Sequence, residues 1–121
     1  YLSTVERIFK KREIARNEFV VDGHKIDIGK ITNVAVKTVE GANDDISAPG
    51  QCIAALDLCT GLPDSKKASH VEPGAGHYGI FAGKSWRDNI RPLVIEFIDA
   101  NSGTPKTNKR AGKPANKNAA A

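Results

Sequence analysis

Asp44, Asp45 and His77 are the residues of this chain whose types and setting can do chemistry. The two aspartates close the run Gly41-Ala42-Asn43-Asp44-Asp45, and the histidine lies inside Gly74-Ala75-Gly76-His77-Tyr78-Gly79. A carboxylate that orients an imidazole, which then takes and returns a proton, is the second half of a nucleophile–His–Asp triad. Taken singly, each feature has a plainer explanation: Asp-Asp is common turn chemistry, favoured at a helix N-terminus, and a loop histidine is usually only solvated. Together, in that order and each just past a predicted strand, they suggest a paired acid and base. Asp44 and Asp45 are alternatives for the acid, and His24 and His70 fit no such role. Cys52 and Cys59 with the histidines give neither a C-x-x-C nor an H-x-x-x-H spacing, so no metal site is expected.

The elements that must position these groups follow from hydrophobic periodicity. Over residues 31–39, Val34, Val36 and Val39 interleave with Ala35 and Thr38, and Lys37 is the one charge, which predicts a strand covered on both faces. In open α/β sheets, ligands and reactive groups gather past the carboxyl ends of such strands. Residues 47–59 then read as a helix with Cys52, Ala55, Leu56 and Cys59 on one apolar stripe, ended by Gly61 and Pro63. Residues 66–71 stand where the next parallel strand of an alternating pattern belongs, and they lead into the histidine loop. Two strand-to-loop junctions would thus deliver carboxylate and imidazole to one edge of a sheet.

Upstream, Ser3 and Glu6 have the capping-box spacing, and Leu2, Val5, Ile8 and Phe9 share a face. This predicts a helix over residues 4–15 with Arg7, Lys10, Lys11 and Glu13 on its other face. Residues 18–21 and 24–28 around Asp22-Gly23 predict a small hairpin. At the far end, Trp86, Ile90, Leu93, Val94, Phe97 and Ile98 step around one helical face. A Ser85–Asp88 pair would open that helix, Pro92 should disturb it, and Asn101-Ser102-Gly103 should stop it. Trp86 is expected in the core.

The 121 residues, 40% apolar and 26% charged, suit one soluble domain with a modest core, and no run is long enough to span a membrane. The formal charge of +4 invites a nucleic-acid reading, but its placement argues against one. All 14 Asp and Glu lie within residues 1–100, whereas Lys106, Lys109, Arg110, Lys113 and Lys117 stand in an acid-free tail. Residues 101–121, rich in Lys, Ala, Pro and Asn without periodicity, read as a disordered appendage, with weak polyanion binding as the most it would do. Cys52 and Cys59 are too far apart on their predicted helix for a bridge, which favours a reduced, cytoplasmic setting.

The order of acid then histidine is that of α/β-hydrolases, in which a nucleophile on a G-x-S-x-G elbow comes first. None of Ser3, Ser47, Ser65, Ser69, Ser85 and Ser102 stands in such an elbow. The string TVEGANDDISAPGQ, followed by LDLCTGL and then GAGHYGIFAGKSW with its closing helix, resembles the C-terminal region of bacterial poly(3-hydroxybutyrate) (PHB) depolymerases of the intracellular type. It is similar, more loosely, to polyhydroxyalkanoate synthases, in which a G-x-x-D-x-I motif supplies the triad acid and Gly-Gly-His the base. By that pattern from Gly41 the acid falls on Asp44, while Pro49, one residue later than in the synthases, leaves Asp45 as the alternative.

The resemblance covers most of residues 1–100 and none of the tail. It implies the C-terminal portion of an α/β-hydrolase fold, with parallel strands, flanking helices and an incomplete sheet. It further implies hydrolysis of 3-hydroxybutyrate esters through an acyl-enzyme, with His77 as base and Asp44 fixing its tautomer, no cofactor, and a polyester or granule surface as partner. The nucleophile and oxyanion hole would belong to an N-terminal half that this chain lacks. The chain alone is therefore expected to be inactive and not a self-sufficient fold. A synthase-like acyltransferase fragment and a non-catalytic granule- or polyanion-binding module are the rival readings.

Overall fold

Two small sheets form wherever a partner backbone comes within reach, and the computed structural model describes them within residues 1–103. The expected disorder of the basic tail falls, from residue 104 onward, outside the described residues. The first sheet is the expected hairpin, shorter than the pattern suggested: β1 (Val20–Val21) pairs antiparallel with β2 (His24–Lys25). Asp22 and Gly23 both take positive φ, 47° and 78°, the type I′ geometry that such a two-residue turn requires.

The second sheet holds the region of interest. β3 (Val36–Gly41) pairs in parallel with β4 (Lys67–Glu72), in a register that sets Val36 opposite Lys67 and Gly41 opposite Glu72. The parallel pairing expected from the alternating pattern is present, but β3 is displaced toward the C-terminus of residues 31–39. Its extent follows its partner: the ladder begins where β4 begins, and the residues before Val36 have no strand to pair with, so Val34 is exposed. Gly41 is the last rung of the ladder.

The helix expected over residues 47–59 shrinks to Ala54–Leu58. The cause is competition for backbone amides. Two carboxylates take five of those between residues 46 and 53: Asp44 accepts from Ile46 and Ser47, and Glu40 from Gly50, Cys52 and Ile53. Gly50 at φ 101° completes the departure from helix.

The opening helix starts at Leu2, before the supposed cap, with an α turn over Leu2–Thr4 and a π-helical stretch over Val5–Lys10. It ends short of residue 15, where Arg12 turns left-handed at φ 54°. Arg7 is drawn off the solvent face: it bonds Glu13 Oε2 and the Val20 carbonyl oxygen, both at 2.7 Å, and lies over the Phe19 ring, fastening this helix to the hairpin.

The closing helix runs through Gly83–Ser85, a π-helical stretch Trp86–Ile90, and the α-helix Arg91–Asn101. Pro92 thus follows directly on helical residues, and with no N–H to give the turn behind it, it coincides with the widened π-helical turn just before it. The helix packs Ile90 against Ala75 and Ile80, with Val39, Trp86 and Val94 around them; this is the core, and Trp86 belongs to it as expected. Ile98, assigned to the same face, is exposed. The architecture is mixed α and β with incomplete sheets. No helix of the described residues is long and apolar enough to cross a membrane.

Candidate active site

Beyond the last rung of the parallel ladder the two backbones stay together. Ala42 N–H donates to the Glu72 carbonyl (3.0 Å), and Asn43 N–H to the Ala75 carbonyl (2.9 Å), so the acidic loop and the histidine loop leave the sheet side by side. Gly41 makes this approach possible, because a Cβ built there would overlap the Ala75 carbonyl oxygen. The glycine that opens the acidic run is thus a packing requirement rather than only a turn signal.

Asp44 is buried, and its two oxygens divide their work. Oδ1 accepts from the amides of Ile46 (2.9 Å) and Ser47 (2.8 Å), which fixes the side chain against its own loop; Oδ2 meets His77 Nδ1 at 2.9 Å. Burial pushes the Asp44 carboxyl up, but the Ser47 amide, the His77 ring and the Ile46 amide outweigh it and hold the group below the ordinary aspartate range. An ionised carboxylate can only accept, so Nδ1 must carry the proton, and the neutral ring then keeps its lone pair on Nε2. Asp45, the alternative acid, is exposed and makes no contact with His77.

His77 opens a 3-10 turn, His77–Ile80, held on either side by the buried Ala75 and Ile80. Its side chain is about 30% exposed, and no described residue bonds Nε2. The rings of Tyr78 and Phe81 stand edge-on to it at 5.4 and 6.3 Å. It faces a cavity of about 350 Å³ whose walls are mostly apolar, with Val39, Ile80, Phe81, Trp86, Ile90 and Val94 prominent, and with Ser47 and Cys52 on the polar side. An oriented imidazole with a free nitrogen beside an apolar chamber can move a proton to or from a bound ester. Among the described residues, no group of three or more His, Cys, Asp or Glu is arranged to hold a metal ion.

A family model for the C-terminus of PHB depolymerase matches residues 1–102. The chain belongs to that family. No curated protein and no solved structure matches it. Membership points to PHB degradation and to a hydrolase as the parent protein, and the matched span contains both strands and both loops.

In this depolymerase region the sequence reading missed two buried carboxylates. Glu40 spreads its oxygens over three amides, Gly50 (2.9 Å), Cys52 (2.6 Å) and Ile53 (3.0 Å). The Gly50 and Ile53 amides hold it below the ordinary glutamate value against burial. Glu72 accepts from Asn89 Nδ2 at 2.6 Å and meets His70 Nε2 at 2.8 Å, and those bonds, Asn89 first, lower its pKa likewise. His70, left without a role by sequence, is therefore a partner of Glu72. One signal was available: residues two apart on a strand share a face, and a strand ending His-x-Glu sets the two side by side.

Proposed function

We propose that this chain supplies the acid and the base of a nucleophile–His–Asp triad that hydrolyses the ester bonds of PHB, within the C-terminal part of an α/β-hydrolase fold formed by residues 1–100. The observation that carries the reading is the 2.9 Å contact of His77 Nδ1 with the buried Asp44, which leaves Nε2 free on a residue that lines the cavity. His77 Nε2 takes the proton of the nucleophile as that atom bonds to the ester carbonyl carbon, and Asp44 stabilises the imidazolium that forms. The tetrahedral intermediate collapses, the C–O bond to the departing 3-hydroxy end breaks, and that alkoxide receives the proton from His77. Water, activated by the same nitrogen, then releases the acyl group as a 3-hydroxybutyrate carboxylic acid.

The nucleophile and the oxyanion hole come from outside this chain, in keeping with the family's description as a C-terminal region and with the lack of a G-x-S-x-G elbow here. The apolar walls suit the methyl-bearing backbone of the polyester. Free thiols at Cys52 and Cys59 accord with a cytoplasmic site of action, at polymer granules. The test is hydrolysis of PHB by the intact protein and its H77A variant. Loss of about 10²–10⁴-fold is expected from removing a general acid–base. A folded H77A protein with near-normal hydrolysis would sink the reading.

A further inference from the structure

We propose that Glu72 is a positioning residue for the acid–base pair: its buried carboxylate clamps the end of β4 to the closing helix and thereby holds the loop that brings His77 to Asp44. Its effect on rate rests on the reading of His77 as the base; its effect on geometry does not. Glu72 is about 2% exposed and does not line the cavity, so it has no part in the chemistry itself. Both of its carboxylate oxygens are engaged, Oε2 by His70 on its own strand and Oε1 by Asn89 on the closing helix.

The same residue's carbonyl oxygen accepts from Ala42 N–H in the acidic loop, and from Ala75 N–H at 3.4 Å in the histidine loop. One residue thus joins the acidic loop, the histidine loop and the helix. The helix position next to Asn89 is Ile90, about 1% exposed, which packs on Ala75 and Ile80, the two residues that bracket His77. Moving Asn89 therefore moves the plug on which the histidine loop rests. A buried charge could be replaced by apolar packing without its desolvation cost, whereas the ionic network fixes one placement of helix against loop.

The experiment uses the intact protein with selectively ¹⁵N-labelled histidine and three variants, E72A, E72Q and N89A. Thermal melts show which are folded, the His77 Nδ1–H resonance reports the bond to Asp44, and hydrolysis of a soluble 3-hydroxybutyrate oligomer gives kcat and KM. E72A and N89A are expected to move or broaden that resonance and to lower kcat about 10- to 100-fold, as a reacting group displaced by about 1 Å would, with KM within about twofold. E72Q, which keeps an acceptor for Asn89, should recover most of both. Should E72A not fold, N89A carries the same test from an exposed side chain. A wild-type His77 resonance in either folded variant overturns the proposal, whatever the rate. Absence of ester hydrolysis in the wild-type protein would overturn the functional reading while the resonance still decides this one.

Discussion

His77 and Asp44 meet at 2.9 Å, His70 and Glu72 at 2.8 Å, and both carboxylates are buried. In length and burial the two pairs are nearly the same, yet their placement differs in every respect that matters to chemistry. His77 uses Nδ1, keeps Nε2 free and lines an apolar cavity; His70 uses Nε2 and does not line that cavity. Asp44 gives its second oxygen to its own loop's amides, which anchors an acid, whereas Glu72 gives its second oxygen to Asn89 on another element, which anchors a helix. A hydrogen bond between imidazole and buried carboxylate is thus no mark of catalysis by itself. The free nitrogen, and what it faces, separates the two.

The sharpest way to break this comparison is Asp44→Asn. An asparagine can keep its oxygen on the Ile46 and Ser47 amides, but its NH₂ then faces His77 and forces the proton onto Nε2, the wrong tautomer. A loss of about 10⁴-fold in kcat is expected with the fold retained, as read by ester hydrolysis and circular dichroism. Asp45→Asn should leave the rate within about twofold, because nothing ties that exposed side chain to the ring. Equal losses from both would erase the distinction between the two aspartates.

Next in size, Gly41→Ala should cost about 1–3 kcal/mol in chemical denaturation, the usual range for overpacking, and should lower activity with it. The new methyl meets the Ala75 carbonyl and drives the histidine loop away from the acidic one. An alanine variant with normal stability and rate would mean that the two loops are not held by their backbones.

The smallest effect is one of acid stability. Glu40 and Glu72 are both held below the ordinary glutamate value of 4.5, so the unfolded chain binds more protons as pH falls past that point. Their stabilising contribution is present in full above about pH 4.5 and is lost as pH falls through the lowered values. E40Q and E72Q should each lower Tm at pH 7 and flatten the fall of Tm with acid. A slope unchanged from wild type in both would remove these carboxylates from the account of stability.

How much of this was legible beforehand depended on the range of each interaction. The Asp22-Gly23 turn, the apolar face of Trp86, Ile90 and Val94, and the parallel partnership of β3 and β4 follow from periodicity and turn chemistry, and they form. Spacing left Asp44 and Asp45 as alternatives, and the resemblance to a G-x-x-D-x-I motif counted from Gly41 pointed to Asp44; the reason for Gly41 itself, a carbonyl from a loop far along the chain, could not be read. The helix over residues 47–59 failed because periodicity says nothing of a carboxylate such as Glu40 that reaches across to claim the amides of Gly50, Cys52 and Ile53. Arg7 was likewise left on the polar face of its helix because the Phe19 ring and the Val20 carbonyl that capture it lie on the hairpin beyond that helix.

The side-by-side exit of the two loops also bears on how such a region can change over evolutionary time. Asp44 and His77 are 33 positions apart in sequence, but their separation in space is inherited from adjacent strands about 4.8 Å apart and two further backbone bonds. The intervening crossover neither sets that distance nor transmits it. Residues can be gained or lost there at small entropic cost, since closure entropy grows only slowly with loop length. Lineages could therefore remodel the wall of the cavity that the crossover contributes, through Ser47 and Cys52, and so alter its shape, while Asp44 and His77 stay in register.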